Sequence, residues 1–93
     1  MENTTQKDSL LEEVKLYLRV DVSDFDNEIN GFIQSSIVYF KNKISSNFDE
    51  NKDFEKSILK DRVRYQFNRA INEFEYDFIS ELLNLEELYE EKN

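Results

Sequence analysis

Carboxylates are the side chains through which this sequence could most readily do chemistry. Of its 93 residues, 21 are Asp or Glu and 12 are Lys or Arg. Glutamates are adjacent in three pairs: Glu12 with Glu13, Glu86 with Glu87, and Glu90 with Glu91. A catalytic pair needs a cleft that drives the two carboxyl pKa values apart. Three or four short helices leave little room for such a cleft, so we expect these carboxylates to be solvated.

Two acidic segments suggest calcium loops, but their spacing is unsuitable. An EF-hand loop requires oxygen ligands at positions 1, 3 and 5, Gly at position 6 and Glu at position 12. The twelfth residue is Phe32 when the count starts at Asp21, and Ile58 when it starts at Asn47. Asp, Asn and Ser in these segments are better read as helix caps, because their side chains accept backbone N–H bonds. The sequence therefore predicts no metal site.

Several residue types on which enzymes depend are missing. The chain has no Cys, which removes thiolate sites and disulfides, and no His, which removes the usual general base and zinc ligand. A single Gly cannot build a glycine-rich phosphate loop. We therefore predict that the chain is not an enzyme and uses no cofactor.

Basic side chains on one predicted helix raise the possibility of phosphate binding. Lys56, Lys60 and Arg64 fall on one helical face. Domains that bind nucleic acid are usually basic, whereas this chain has a net charge of -9. We expect these cations to pair instead with nearby carboxylates such as Asp53, Glu55 and Asp61.

The hydrophobic pattern predicts an all-α fold: one small bundle of about four helices, ordered short, long, long, short. The expected helices cover about residues 9–19, 24–44 and 51–72, followed by a break between Asn72 and Asp77. A short C-terminal helix or arm is expected over residues 84–93, opened by Asn84 and Glu87 at a capping-box spacing. Residues 1–7 are expected to be a frayed tail of this single domain. The clearest stripe belongs to the second helix and comprises Phe25, Ile29, Phe32, Ile33, Ser36, Ile37, Phe40 and Ile44.

Charge is distributed unevenly along the chain. Residues 1–40 carry a net charge of -5, residues 41–72 a net charge of +3, and residues 73–93 a net charge of -7. Acidic ends and a basic middle could pair copies head to tail. The simpler interpretation is that these are solvated helix faces. With no apolar stretch long enough for a membrane span and no apolar secretion segment, we expect a cytosolic chain that contacts no membrane.

One segment is similar to a known family. Residues 11–21 read LEEVKLYLRVD, and the residues that follow at matching positions are Asp24, Asp26, Ile29, Ile33 and Tyr39. This pattern resembles the head–tail connector, or head-completion adaptor, family of tailed bacteriophages and prophages, over residues 10–44. After the second helix the chain has Ser45, Ser46 and Asn47 where the family often has a Gly-containing turn, and its C-terminal region is acidic where the family often carries Pro and basic residues.

The resemblance implies a structural role in the virion neck. Family members form rings of about twelve copies beneath the portal and bridge the portal protein to head-closure or tail proteins. Packaged DNA passes through the ring without specific binding. The resemblance also implies that the chain is in the host cytoplasm before assembly, either as a ring or as a monomer until it meets the portal.

The same resemblance points to a partner interface in the C-terminal segment, where the candidates are Leu85, Leu88 and Tyr89. These three residues could equally pack onto their own bundle. An alternative function is a small acidic regulator of the antitoxin or anti-repressor type, which would bind a basic protein partner. The net charge of -9 favours that alternative, and the connector-like segment argues against it.

Overall fold

The structure, a computed structural model, describes the backbone of residues 2–91 and the side chains of residues 9–90. Within these bounds it is all-α and has no strand, which confirms the predicted fold class. It has five α-helices and a short 3-10 helix rather than about four helices. The elements are α1 Glu2–Leu18, α2 Asp26–Lys43, α3 Asp53–Phe67, the 3-10 helix Ile71–Glu73, α4 Phe74–Asp77 and α5 Ile79–Glu91.

The first helix begins earlier than expected. We expected a frayed tail over residues 1–7 and a helix from residue 9, whereas α1 begins at Glu2. Ser9 and Glu12 have the spacing of a capping box, but both lie inside the helix. Residues 2–8 contain neither Gly nor Pro, so nothing in their backbone preference stops the helix from extending toward the N-terminus.

Two helices end in closely similar ways, and both ends have Arg where Gly is usual. Arg19 and Arg69 have positive φ angles of 61° and 60°. After α1, the Val20 N–H donates to the Lys15 carbonyl oxygen at 2.9 Å; after α3, the Ala70 N–H donates to the Tyr65 carbonyl oxygen at 2.7 Å. These bonds close Schellman-type ends, in which Gly normally takes the left-handed position. Because Arg carries no such signal, the end of α3 at Phe67 was not predictable.

The C-terminal segment also differs from expectation. We expected a break between Asn72 and Asp77 and a new helix from Asn84. The chain instead turns after α3, forms the 3-10 helix and α4, and passes a single irregular residue, Phe78, into α5. The expected cap at Asn84 thus lies within α5. We call residues 71–91 the arm and helices α1–α3 the body.

Aromatic rings join the arm to the body. Phe74 is fully buried and has the rings of Phe40, Tyr65 and Phe78 at centroid distances of 6.3, 5.7 and 4.9 Å. The buried hydrophobic core runs through both regions and contains Leu11, Val14, Ile29, Ile33, Phe40, Phe48, Ile58, Leu59, Val63, Phe74, Leu82, Leu85 and Tyr89. The molecule measures 39 × 33 × 18 Å, so it is only about two helix layers thick. Each helix therefore keeps one face toward solvent.

Candidate interaction surfaces

An open cavity of about 250 Å³ lies where α2, α3 and the arm meet, with Arg62 in its wall. The Arg62 guanidinium lies 4.2 Å from the centroid of the Tyr39 ring, and its Nη1 donates to Ser36 Oγ at 2.9 Å and Gln66 Oε1 at 3.2 Å. Burial lowers the pKa of Arg62, opposed by the nearby Glu75 carboxylate. These contacts link α2, α3 and α4, so we interpret the cavity as a structural junction.

The basic side chains singled out in α3 form ion pairs, most of them with another helix. Lys56 Nζ and Lys60 Nζ lie 3.2 and 3.6 Å from the Glu13 carboxylate of α1. Only Arg64 pairs within α3 as expected, with Asp61 at 3.6 Å. The hydrogen bond from Lys56 is the main cause that lowers the pKa of Glu13. The two lysines therefore hold α1 against α3.

Four tyrosine hydroxyls donate hydrogen bonds to carboxylates distant in sequence. Tyr39 donates to Glu75 Oε2 at 2.6 Å, Tyr65 to Asp77 Oδ2 at 2.7 Å and Tyr89 to Glu55 Oε2 at 2.6 Å, and Tyr17 donates to Asp61. The first three bonds join the arm to the body. Burial, reinforced by the bond to Glu55, raises the pKa of Tyr89 to about 12. Sequence spacing carried no signal for these pairs, because they form only once the helices have packed.

The three residues proposed as a partner interface occupy different positions on α5. Leu85 and Tyr89 are buried, in contact with the chain's own core, while Leu88 is 40% exposed. The Tyr89 hydroxyl also accepts a hydrogen bond from the Asp49 backbone N–H at 3.2 Å. In a single copy, only Leu88 of the three is available to a partner.

A second apolar stripe lies on the outside of the arm. Tyr76, Ile79 and Leu83 are 85%, 55% and 54% exposed. Two helical hydrogen bonds continue across the junction between α4 and α5: the Phe78 N–H donates to the Phe74 carbonyl oxygen, and the Leu82 N–H donates to the Phe78 carbonyl oxygen. Residues spaced by three and four positions therefore lie on the same side, as these three do. The stripe continues into acidic residues three, four and seven positions beyond Leu83. We call this set the C-terminal surface: Tyr76, Ile79, Leu83, Glu86, Glu87 and Glu90.

Another exposed apolar group lies at the turn between α1 and α2. Leu16 is 81% exposed, and Val22 and Phe25 are also exposed. An open depression of about 360 Å³ beside Leu16 is lined by Glu12, Lys15, Val20 and Asp21 as well. We call Leu16, Val22 and Phe25 the turn surface. It lies within residues 10–44.

Sequence reasoning did not identify either surface as a site. The resemblance instead pointed to Leu85, Leu88 and Tyr89 as interface candidates, with packing onto their own bundle as the alternative. The available signal was that α5 carries more apolar residues than one face can bury, since the pairs Ile79–Leu83 and Leu82–Leu85 point in different directions.

The described residues also bear on two other kinds of function. Among them, no three Asp or Glu side chains are arranged to hold a metal ion. Within the same part of the chain, no helix combines the length and apolarity needed to cross a membrane.

Comparison with known proteins assigns no family. The chain matches no family model, and no curated protein or solved structure is significantly similar to it. Its function is therefore argued from its two surfaces and from the motif in residues 10–44.

Proposed function

We propose that this chain is a virion structural protein of the head–tail connector type, which joins the portal to head-closure or tail proteins. The observation that carries the proposal is the pair of separate apolar surfaces on one small domain. Grouped exposed apolar side chains often mark interaction sites, whereas single exposed apolar residues are common on any protein surface. An adaptor must contact different neighbours on different sides, and two distinct surfaces meet that need.

The motif segment supports the same role. The residues that resemble the family fold as a helix, an acidic turn and a long helix, which is the order the resemblance implies. The turn surface lies inside this segment, so the part of the chain that resembles connectors also carries exposed apolar side chains.

The turn surface suits head-to-tail assembly, and the C-terminal surface is available to a different protein. When one patch of a copy meets a different patch of the next copy, the contacts are heterologous and close into a ring if the rotation per copy allows it. We propose a ring of about twelve copies, placed in the virion neck, through which DNA passes without specific binding. The net charge of -9 suits that passage, because affinity for DNA phosphates comes from Lys and Arg.

Sedimentation velocity over a concentration series tests assembly directly. The wild-type chain is compared with Leu16→Ser and Leu83→Ser, each of which removes one apolar side chain from one surface. Val38→Ser is the matched control, since Val38 is an exposed apolar residue of α2 outside both surfaces. We expect ring-sized particles for the wild type, the control and Leu83→Ser, whose surface contacts a different protein, and smaller species for Leu16→Ser.

The outcome also separates the two candidate functions. A tight dimer that survives both substitutions favours the small acidic regulator, which needs no ring. A wild-type chain that sediments only as a monomer moves the test to the portal, since a small interface gains strength when many copies engage one ring at once.

A further inference from the structure

We infer that the C-terminal surface is a docking site for a basic amphipathic helix of another protein. Apolar side chains of the partner would cover Ile79 and Leu83, and its Lys or Arg side chains would face Glu86, Glu87 and Glu90. This inference rests on the proposed function in one respect: it names the chemistry of a protein that the adaptor joins.

The first half of the surface supplies the apolar contact. Tyr76, Ile79 and Leu83 are each more than half exposed. Phe74, Leu82 and Leu85 already fill the inner side. The outer stripe therefore cannot turn inward without displacing the core, so any apolar cover must come from a partner.

The second half sets the sign of the partner's charge. Residues 70–91 contain no Lys or Arg. Every ion pair found among the described side chains lies within the body or between its helices. No hydrogen-bond or ion-pair partner is present within the described residues for the side chains of Glu86, Glu87 and Glu90. Their charge is not compensated at close range, and a cationic partner is attracted.

The geometry of the surface fits a helix. From Tyr76 to Glu90 the stripe spans about 21 Å at a rise of about 1.5 Å per residue. Side chains repeating every three and four residues form ridges that pack into the grooves of another helix. The partner helix would need about four turns, with apolar residues in two turns and basic residues in the other two.

Neither long helix of a second copy offers such a face, and in α2 the basic residues, Lys41 and Lys43, are confined to the last turn. Lys56 and Lys60, the cations on one face of α3, already pair with Glu13, and Arg62 lies against the Tyr39 ring. Presenting them to another copy would break contacts that hold the body together. The charge pattern therefore favours a different protein as the occupant.

Two synthetic peptides of identical composition test the inference with the full chain. Both have about fourteen residues built from Leu, Lys, Ala and Gln. In the first, Leu occupies one face in two turns and Lys the same face in the next two; in the second, the same residues are scattered around the helix. We expect the first peptide to bind about tenfold more tightly in fluorescence anisotropy, since it alone pairs apolar and charged halves together.

Substitutions show how each half of the C-terminal surface contributes to binding. The double variant Ile79→Ser and Leu83→Ser should lose about tenfold in affinity for the first peptide. Glu87→Gln with Glu90→Gln should flatten the dependence of affinity on salt. Leu88→Ser is the matched control: Leu88 is exposed on the same helix, but its position, five residues beyond Leu83, lies about 140° away around the axis. Circular dichroism checks that each variant folds.

Equal affinity for the two peptides would overturn the inference, and so would binding that the Ile79 and Leu83 substitutions leave unchanged. The result is distinguishable from failure of the connector proposal. Ring assembly without selective peptide binding would reject the docking site alone. Selective peptide binding by a chain that associates with no virion component would keep the site and reject the connector.

Discussion

The body and the arm are stabilised by different polar interactions. In the body, cations and carboxylates meet directly, as in the 2.8 Å pair of Lys15 with Asp26 and the two lysines beside Glu13. In the arm, carboxylates accept hydrogen bonds from tyrosine hydroxyls of the body, and one arm tyrosine, Tyr89, donates to a body carboxylate. Both regions share one apolar core.

This difference explains how a strongly acidic segment can pack without losing its charge. A Lys partner would neutralise a carboxylate, whereas a neutral tyrosine hydroxyl satisfies one of its lone pairs and leaves the negative charge in place. Glu75 and Asp77 are both bonded in this way. The arm is thereby anchored and still presents a negative outer surface to a partner.

The largest expected effect comes from the ring that joins the two regions. Replacing Phe74 by Ala removes a fully buried side chain from a cluster of aromatic rings, which should lower the free energy of unfolding by about 3–5 kcal/mol. Urea denaturation followed by circular dichroism measures this loss. The control, Tyr76→Ala, changes an exposed aromatic residue of the same helix and should cost much less. Equal losses would show that the arm does not depend on Phe74.

A smaller loss is expected when one hydrogen bond between the regions is removed. Tyr89→Phe keeps the ring but leaves the buried Glu55 carboxylate without its hydroxyl donor. An unsatisfied buried polar group costs about 1–3 kcal/mol. Tyr76→Phe, which removes an exposed hydroxyl, should be close to neutral by the same denaturation experiment. A neutral Tyr89→Phe would mean that Glu55 finds another donor.

Alkaline pH should weaken the attachment of the arm to the body. The pKa of Tyr89 rises from 10.0 to about 12 on folding, and burial also raises the pKa of Tyr39. A raised folded-state pKa gives stability that is fully present below the ordinary value of about 10 and is lost as pH rises toward 12. The free energy of unfolding, measured from pH 9 to 12, should therefore decline less steeply in Tyr89→Phe than in the wild type. Equally steep declines in the two proteins would contradict the raised pKa of Tyr89.

The connection between body and arm offers a substitution that should stabilise. Arg69 has a φ of 60°, a conformation that is strained by about 1–2 kcal/mol for a non-Gly residue. Arg69→Gly should therefore raise the free energy of unfolding by up to about 1 kcal/mol, as measured by thermal or urea unfolding. Asn68→Gly is the control, because its φ of -93° is ordinary and Gly there should only add flexibility. A destabilising Arg69→Gly would show that the side chain matters more than the strain.

The smallest expected effect concerns an ion-pair site of the body. Glu13→Gln removes the charge that faces Lys56 and Lys60 at a partly exposed position, where pairs contribute about 0.2–1 kcal/mol. The lowered pKa of Glu13 gives stability that is present above 4.5 and is lost as pH falls. The difference in the free energy of unfolding between wild type and variant should become smaller in high salt and at acid pH. A difference unaffected by salt would point to packing rather than charge.

Some of this structure was predictable from the sequence and some was not. The stripe from Phe25 to Ile44 predicted α2 to within two residues at its start and one at its end, because it repeats for many turns. The end of α3 was missed because Arg69 takes the place of a signalling Gly. On α5 there are two apolar stripes but only one buried face, and the sequence pattern does not indicate which stripe packs against the body. The Tyr–carboxylate bonds depend on that same tertiary choice.

The connector proposal is tested most directly by recovering the tagged chain from cells that produce phage or prophage particles and identifying its partners by mass spectrometry. We expect the wild type and Leu88→Ser to recover a portal-sized ring protein together with small neck proteins. These partners should be depleted when Ile79 and Leu83 are both replaced by Ser. Recovery of a toxin or a basic DNA-binding protein, with no virion component, would contradict it.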